Sequence, residues 1–261
     1  MMNAQQVVDK IGSGVQAALK TNQLFLGVEQ FEFENADIHP EYVTTVKVAE
    51  KLTGPEFVVS LETHMKTLRR QAIGIARIQN MKDKDRRDEI VGRLSRYKFG
   101  KKDSQRLDVL VLSADSLSPP HLMAEAKLGV HNLPGLLNDI DRIVKLLSMY
   151  EEAGAFNGHA VYGAVVFHLM REKVDVNGLK PHAQSFLAGI SAHLSNLSSK
   201  YAWLNHKADL LTSWHVSEGV SGYQEYHDDG TVEDVFGKEG FAFTPGLVLL
   251  GNGADIPNVT F

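Results

Sequence analysis

Two short apolar segments joined by a run of turn residues constrain this chain more than any other feature in it. Leu107 to Leu112 (LDVLVL) and His121 to Lys127 (HLMAEAK) flank Ser113 to Pro120 (SADSLSPP). The first, short, β-branched and apolar on both sides, fits a buried strand, and the second reads as the strand that returns beside it. The Ser, Asp and Pro connection closes them as consecutive strands of a hairpin. A strand pair buried on both faces must be covered by helices, and the flanking sequence supplies them. Residues 4 to 20 and His39 to Leu52 carry helical patterns, the second with Pro40 suited to a first turn. Helical stretches follow over Thr67 to Met81 and Asp85 to Leu94. From Leu136 to Tyr150 the residues Leu136, Leu137, Ile140, Ile143, Val144 and Leu147 recur at helical spacing, with Asp139, Asp141, Arg142 and Lys145 on the other side. His159 to Leu169 returns to strand character, and Pro181 to Ser199 is helical.

Eight of the 22 glycines lie between Gly219 and Gly253, and Asp228-Asp229-Gly230 marks a hairpin turn, so the tail reads as β-rich. The order predicts an α/β fold: a mixed β-sheet flanked by helices, with an N-terminal helical extension and a C-terminal β-rich one. Neither a repeat nor a low-complexity linker divides the chain. A single domain over residues 1–261 is expected, with its core at about 38–170 and the extension at about 171–261.

The 261 residues are 43% apolar and 23% charged, which suits a globular protein and excludes a disordered or fibrous one. There is no cysteine, so disulfides, thiolate metal sites and cysteine nucleophiles are out. The start, MMNAQQVVDKIGSG, lacks a basic stretch followed by an apolar one, and no apolar run is long enough for a membrane span. A cytoplasmic protein with no membrane partner is the expectation. The net charge of −5 conceals a strong asymmetry. Between Lys66 and Arg106 stand fourteen Lys or Arg against five Asp or Glu, a local balance of +9 that leaves −14 for the remainder. A polyanion responds to that local field.

Asp108, Glu125 and Lys127 are the chemically informative residues. Side chains alternate along a strand, so Glu125 and Lys127 share one face while Ala126 points away. The hairpin brings Asp108 beside Glu125 on that face. Adjacent carboxylates repel unless a cation neutralises them. Two carboxylates with no Cys and no His pair suit magnesium, with manganese as a substitute, better than zinc. An ammonium beside such an ion can orient the attacking water and offset charge on a phosphate. The eleven histidines form no H-E-x-x-H, and neither a G-x-S-x-G elbow nor a phosphate-binding G-x-x-x-x-G-K-[ST] loop is present.

These residues resemble the PD-(D/E)XK nuclease superfamily, whose signature is an Asp on one core strand and Glu-X-Lys on the next, followed by a helix and a further strand. RLDVLVL, LMAEAKLG, the helix Leu136 to Tyr150 and HAVYGAVVF match in that order over about residues 38–170; Leu107 stands where the family name has Pro. The resemblance implies a restriction-endonuclease-like core and a magnesium-dependent endonuclease. In it Asp108, Glu125 and the Ala126 carbonyl hold the metal, and Lys127 positions the water. It also implies a further acidic residue from the first core helix. Glu41 falls on the apolar face that Tyr42, Val46, Val48, Ala49 and Leu52 define, although a first-turn Glu also simply favours the helix dipole. Glu62, ending VVSLE, is the rival candidate. Arg96, Lys98, Lys101, Lys102 and Arg106 run directly into Asp108 and are the candidate phosphate contacts for a nucleic acid, with DNA as the expected substrate. Arg142 and Lys145 are weaker candidates. The alternative is a non-catalytic nuclease-fold protein acting as a nucleic-acid-binding or assembly module, whose acidic remainder suits a protein partner or a homo-oligomer.

Overall fold

A computed structural model describes residues 2–25, 40–100, 105–114, 118–130, 132–172, 176–210, 215–227, 230–253 and 256–257. Two helices, α1 (Ala4–Phe25) and α2 (Pro40–Leu52), lead into strand β1 (Phe57–His64). Helices α3 (Met65–Gln79) and α4 (Lys84–Leu94) precede the hairpin strands β2 (Arg106–Ser113) and β3 (Leu122–Val130). Then come α5 (Leu133–Glu152), β4 (Tyr162–Glu172), α6 (Val176–Lys200), β5 (Asn205–Leu210), β6 (His215–Tyr226) and β7 (Val232–Gly251).

The strands form one mixed sheet in the order β1-β2-β3-β4-β7-β5, with β6 also on β7. β2 and β3 pair antiparallel, as the turn chemistry predicts, while β3 and β4 are parallel and joined through α5. A parallel pair needs such a crossover, and this one is the helix with the longest apolar stripe around the hairpin. Of the C-terminal strands among the described residues, β7 is interior to the sheet, β5 forms its edge, and β6 pairs with β7 alone. β7 pairs with β4 on one edge and with β5 on the other, and Leu247, Val248, Leu249 and Leu250 are fully buried.

Each face of the sheet has its own core. On one, Leu110, Met123, Val165 and Phe167 pack with α3, α4, α5 and α6. On the other, Val109, Val111, Ala124 and Val166 pack with α1 and α2. Residues 109 to 111 and 123 to 124 thus split between the faces by the two-residue strand period. Gly14 sets the crossing of α1 over α2: a Cβ there would stand 2.6 Å from the Val48 Cα. On α2 the buried face runs through Thr44, Thr45, Val48, Ala49 and Leu52; Tyr42, assigned above to the apolar face, is 51% exposed. Among the described residues no helix is long and apolar enough to cross a membrane.

Candidate active site

The β2–β3 ladder is cut short, and the site lies where it stops. Val111↔Leu122, Leu110↔Met123 and Val109↔Ala124 are paired. One residue further the register sets Asp108 against Glu125. Backbone pairing does not continue there. The Ala126 N–H instead donates to Asp108 Oδ2 at 2.7 Å, and the Leu128 N–H to Glu41 Oε2 at 3.1 Å. Alternate residues of a strand direct their peptide groups to the same neighbouring strand, so 124, 126 and 128 all face β2. Two carboxylates have taken the places of the next two ladder acceptors. The N–H and C=O of one residue point the same way, so the Ala126 carbonyl opens on the same gap. Past Lys127 the β3–β4 register shifts, and Gly129 adopts φ 61, a left-handed backbone that glycine enters without a Cβ clash.

On the face toward α5, Glu125 is 4% exposed and Lys127 is largely in solvent. A bare carboxylate at that depth is costly, and α5 supplies a cation: Arg142 Nη2 lies 2.8 Å from Glu125 Oε2. The same nitrogen is 3.1 Å from Asp139 Oδ1, whose other oxygen is 3.7 Å from Lys127 Nζ. Burial, and next the Asp108 carboxylate, push the Glu125 carboxyl up to about 9 against the pull of Arg142. Glu125 Oε1 accepts no hydrogen bond although it is buried. The two facts agree once Glu125 keeps its proton near neutral pH, because a protonated carboxyl donates to Asp108 instead of accepting from it.

Of the residues singled out in the sequence, Asp108, Glu125 and Ala126 come together where the ladder stops, Glu41 takes the Leu128 amide two residues along β3, and Lys127 lies on the same face as Glu125. Glu41 therefore reaches the strand edge rather than merely facing the first turn of α2. Glu62 does not join them. It stands opposite Asp108 in the β1–β2 register, with φ 52, and pairs outward with Arg106 at 3.7 Å. Arg96 and Lys98 are exposed on the segment beside α5, where the Lys98 carbonyl accepts from Lys145 Nζ at 2.6 Å. Lys101 and Lys102 lie outside the described residues. Several other cations of the basic stretch are engaged internally: Arg69 donates to the Tyr97 carbonyl at 2.6 Å, Arg93 pairs with Glu89 and Glu152, and Arg87 pairs with Asp88.

Asp139 and Arg142 are the residues the sequence reading misplaced, having set both on the solvent side of α5. Asp139 lies three residues after Leu136 and four before Ile143, and so borders the apolar stripe; it is 8% exposed. An Asp and an Arg on that border, just after a Glu-x-Lys strand, were the available signal. For a metal, the gap offers oxygen donors alone: Asp108, Glu125 once its proton is displaced, and the Ala126 carbonyl. That set fits a hard divalent ion which keeps several waters. Among the described residues no three His, Asp or Glu side chains are grouped as metal ligands. Comparison with family models, with curated proteins and with solved structures gives no match.

Proposed function

We propose that this protein is a magnesium-dependent nuclease of the PD-(D/E)XK type with a restriction-endonuclease-like core, hydrolysing phosphodiester bonds in DNA. The observation that carries this reading is the juxtaposition of Asp108 and Glu125 where the β2–β3 ladder stops, with Asp108 and Glu41 on the Ala126 and Leu128 amides and Lys127 on the Glu125 face. Asp108, Glu125 and the Ala126 carbonyl would hold the ion. When bound, magnesium supplies a more acidic water and neutralises charge on the phosphate. Lys127 orients that water and stabilises the developing phosphorane charge. Glu41 fixes the strand edge through the Leu128 amide, and Arg142 anchors Glu125. Arg96 and Lys98 lie exposed where a phosphate backbone would pass.

One observation favours the non-catalytic alternative: Glu125 already has a cation in Arg142, so the site is electrostatically closed by the protein's own groups. Cleavage decides between the two. Plasmid, linear duplex, single-stranded DNA and RNA are incubated with the protein in magnesium, in manganese and in EDTA. The expected result is metal-dependent scission that Lys127→Ala abolishes while leaving DNA affinity within about twofold, because the ammonium acts in the transition state. Equal cleavage in EDTA, or none with any substrate and either metal, would overturn the nuclease reading.

A further inference from the structure

We propose that a cleft at the far end of α5 is a nucleobase subsite, which takes a base of the substrate strand upstream or downstream of the scissile phosphate. The inference rests on the nuclease reading and extends it. The cleft has a volume of about 780 Å³ and lies between the ends of α3 and α5, the helix α4 and the Tyr201–Trp203 segment after α6. That volume falls within the range of small-molecule sites.

Its walls combine what base recognition needs. Trp203 packs edge-on against Phe156 at 5.1 Å and against Tyr201 at 5.6 Å, which holds the indole in place as a platform. Tyr97 adds a third ring. The charges closest to these rings satisfy one another: Arg93 bridges Glu89 and Glu152. The remaining polar groups are the amides of Gln79, Asn80 and Asn157, the Ser148 hydroxyl, the Glu151 carboxylate and the Arg86 guanidinium. With three acidic residues against two arginines in its lining, the cleft suits the donor edge of a base better than a phosphate. Stacking on such rings is sequence-tolerant because every base presents a π-face.

The cleft is also joined to the active site. From Arg142, which touches Glu125, α5 continues through Lys145 to Ser148 and Glu152 on the cleft wall. Six to ten residues of helix separate them, about 9–15 Å. Lys145 lies between the two, held to the Lys98 carbonyl and over the Phe99 ring at 5.1 Å. Lys200 caps Tyr201 at the same distance on the other rim. Lys145 therefore stands between the candidate metal site and the aromatic end of the cleft, where a strand reaching from one to the other would carry a phosphate.

The chain has two tryptophans, Trp203 and Trp214, so a Trp214→Phe variant makes Trp203 the sole indole reporter. This variant is titrated in EDTA, to prevent cleavage, with a dye-labelled single-stranded DNA octamer, with a blunt duplex and with inorganic phosphate. Anisotropy of the dye reports binding and the indole emission reports the cleft. The expected result is a saturable loss of Trp203 emission that follows octamer binding and is absent with phosphate. Quenching by phosphate alone would make the cleft an anion site and overturn the proposal. Octamer binding by anisotropy with unchanged indole emission would overturn it too, while leaving the nuclease reading intact. Binding of neither DNA would remove both.

Discussion

Replacing Glu125 with Gln separates the electrostatics of the site from its architecture. In the unfolded chain this carboxyl ionises near its ordinary value of 4.5, whereas in the folded protein it is pushed up to about 9. Between those values the folded state holds a proton that the unfolded state has released. Stability is therefore fully retained below pH 4.5 and is lost as pH rises through 9. Each pH unit in that window costs about 1.4 kcal/mol. The loss is about 3 kcal/mol at pH 7 and about 6 kcal/mol by pH 9, a large part of the roughly 5–15 kcal/mol that holds a domain folded.

Glutamine has the shape of the protonated acid, can accept from Arg142 and donate to Asp108, and does not titrate. In EDTA, Glu125→Gln is thus expected to be more stable than the parent by about 3 kcal/mol at pH 7, with the difference growing toward pH 9 and vanishing near pH 4.5. Urea unfolding at intervals from pH 4.5 to 9 measures it, and the difference between the two proteins cancels all other titrating groups. Magnesium should restore stability to the parent at high pH and leave the variant unchanged. Parallel pH profiles would refute the assignment of a buried, proton-holding carboxyl to this position.

Three further expectations follow from the geometry. Changing Arg96 and Lys98 together to Ala should weaken DNA binding irrespective of sequence and reduce the slope of log affinity against log salt by about 2, as anisotropy titrations at several salt concentrations will read. Gly14→Ala drives a methyl into the Val48 backbone and should cost about 1–3 kcal/mol in urea melts, loosening α2 and with it Glu41. Glu62→Gly should be nearly neutral in the same assay because φ 52 is left-handed, while the control Ser60→Gly on the same strand loses about 0.5–1 kcal/mol.

The strand pair, the crossover helix and the helical covers were legible because each depends on a short period in the sequence. LDVLVL and HLMAEAK are apolar except at Asp108, His121, Glu125 and Lys127, and the apolar stripe of α5 fixes which side of that helix meets the sheet. Long-range pairing was not legible. Nothing local in GLVLLG indicates that β7 inserts between β4 and β5, since that choice is made by strands some 40 and 80 residues away. The site was legible as far as the strands carry it, in Asp108, Glu125 and Lys127. Asp139 was missed because binary patterning sorts any Asp to the solvent side, although its depth in the fold depends on a partner on another element.

The place of the site follows from a property of sheets. A closed ladder separates its two faces, so a side chain on α2 and one on β3 directed at α5 cannot meet across it. Asp108, Glu125 and Lys127 belong to the α5 face, and Glu41 comes from the helix on the opposite face. Both layers reach β3 here because pairing between β2 and β3 ends at Val109↔Ala124, leaving the Ala126 and Leu128 amides for carboxylates to take. Asp108 is both cause and beneficiary of that gap. Its side chain occupies the position a ladder acceptor would hold, and its charge beside Glu125 raises the cost of leaving the gap empty. A β-branched apolar residue at 108 would favour the closed ladder and a more stable sheet, and would close the opening at which side chains of both layers reach neighbouring amides of β3. The carboxylate at this position thus gives up ladder pairing for its contact with the Ala126 amide, the cost that the proposed metal site would require.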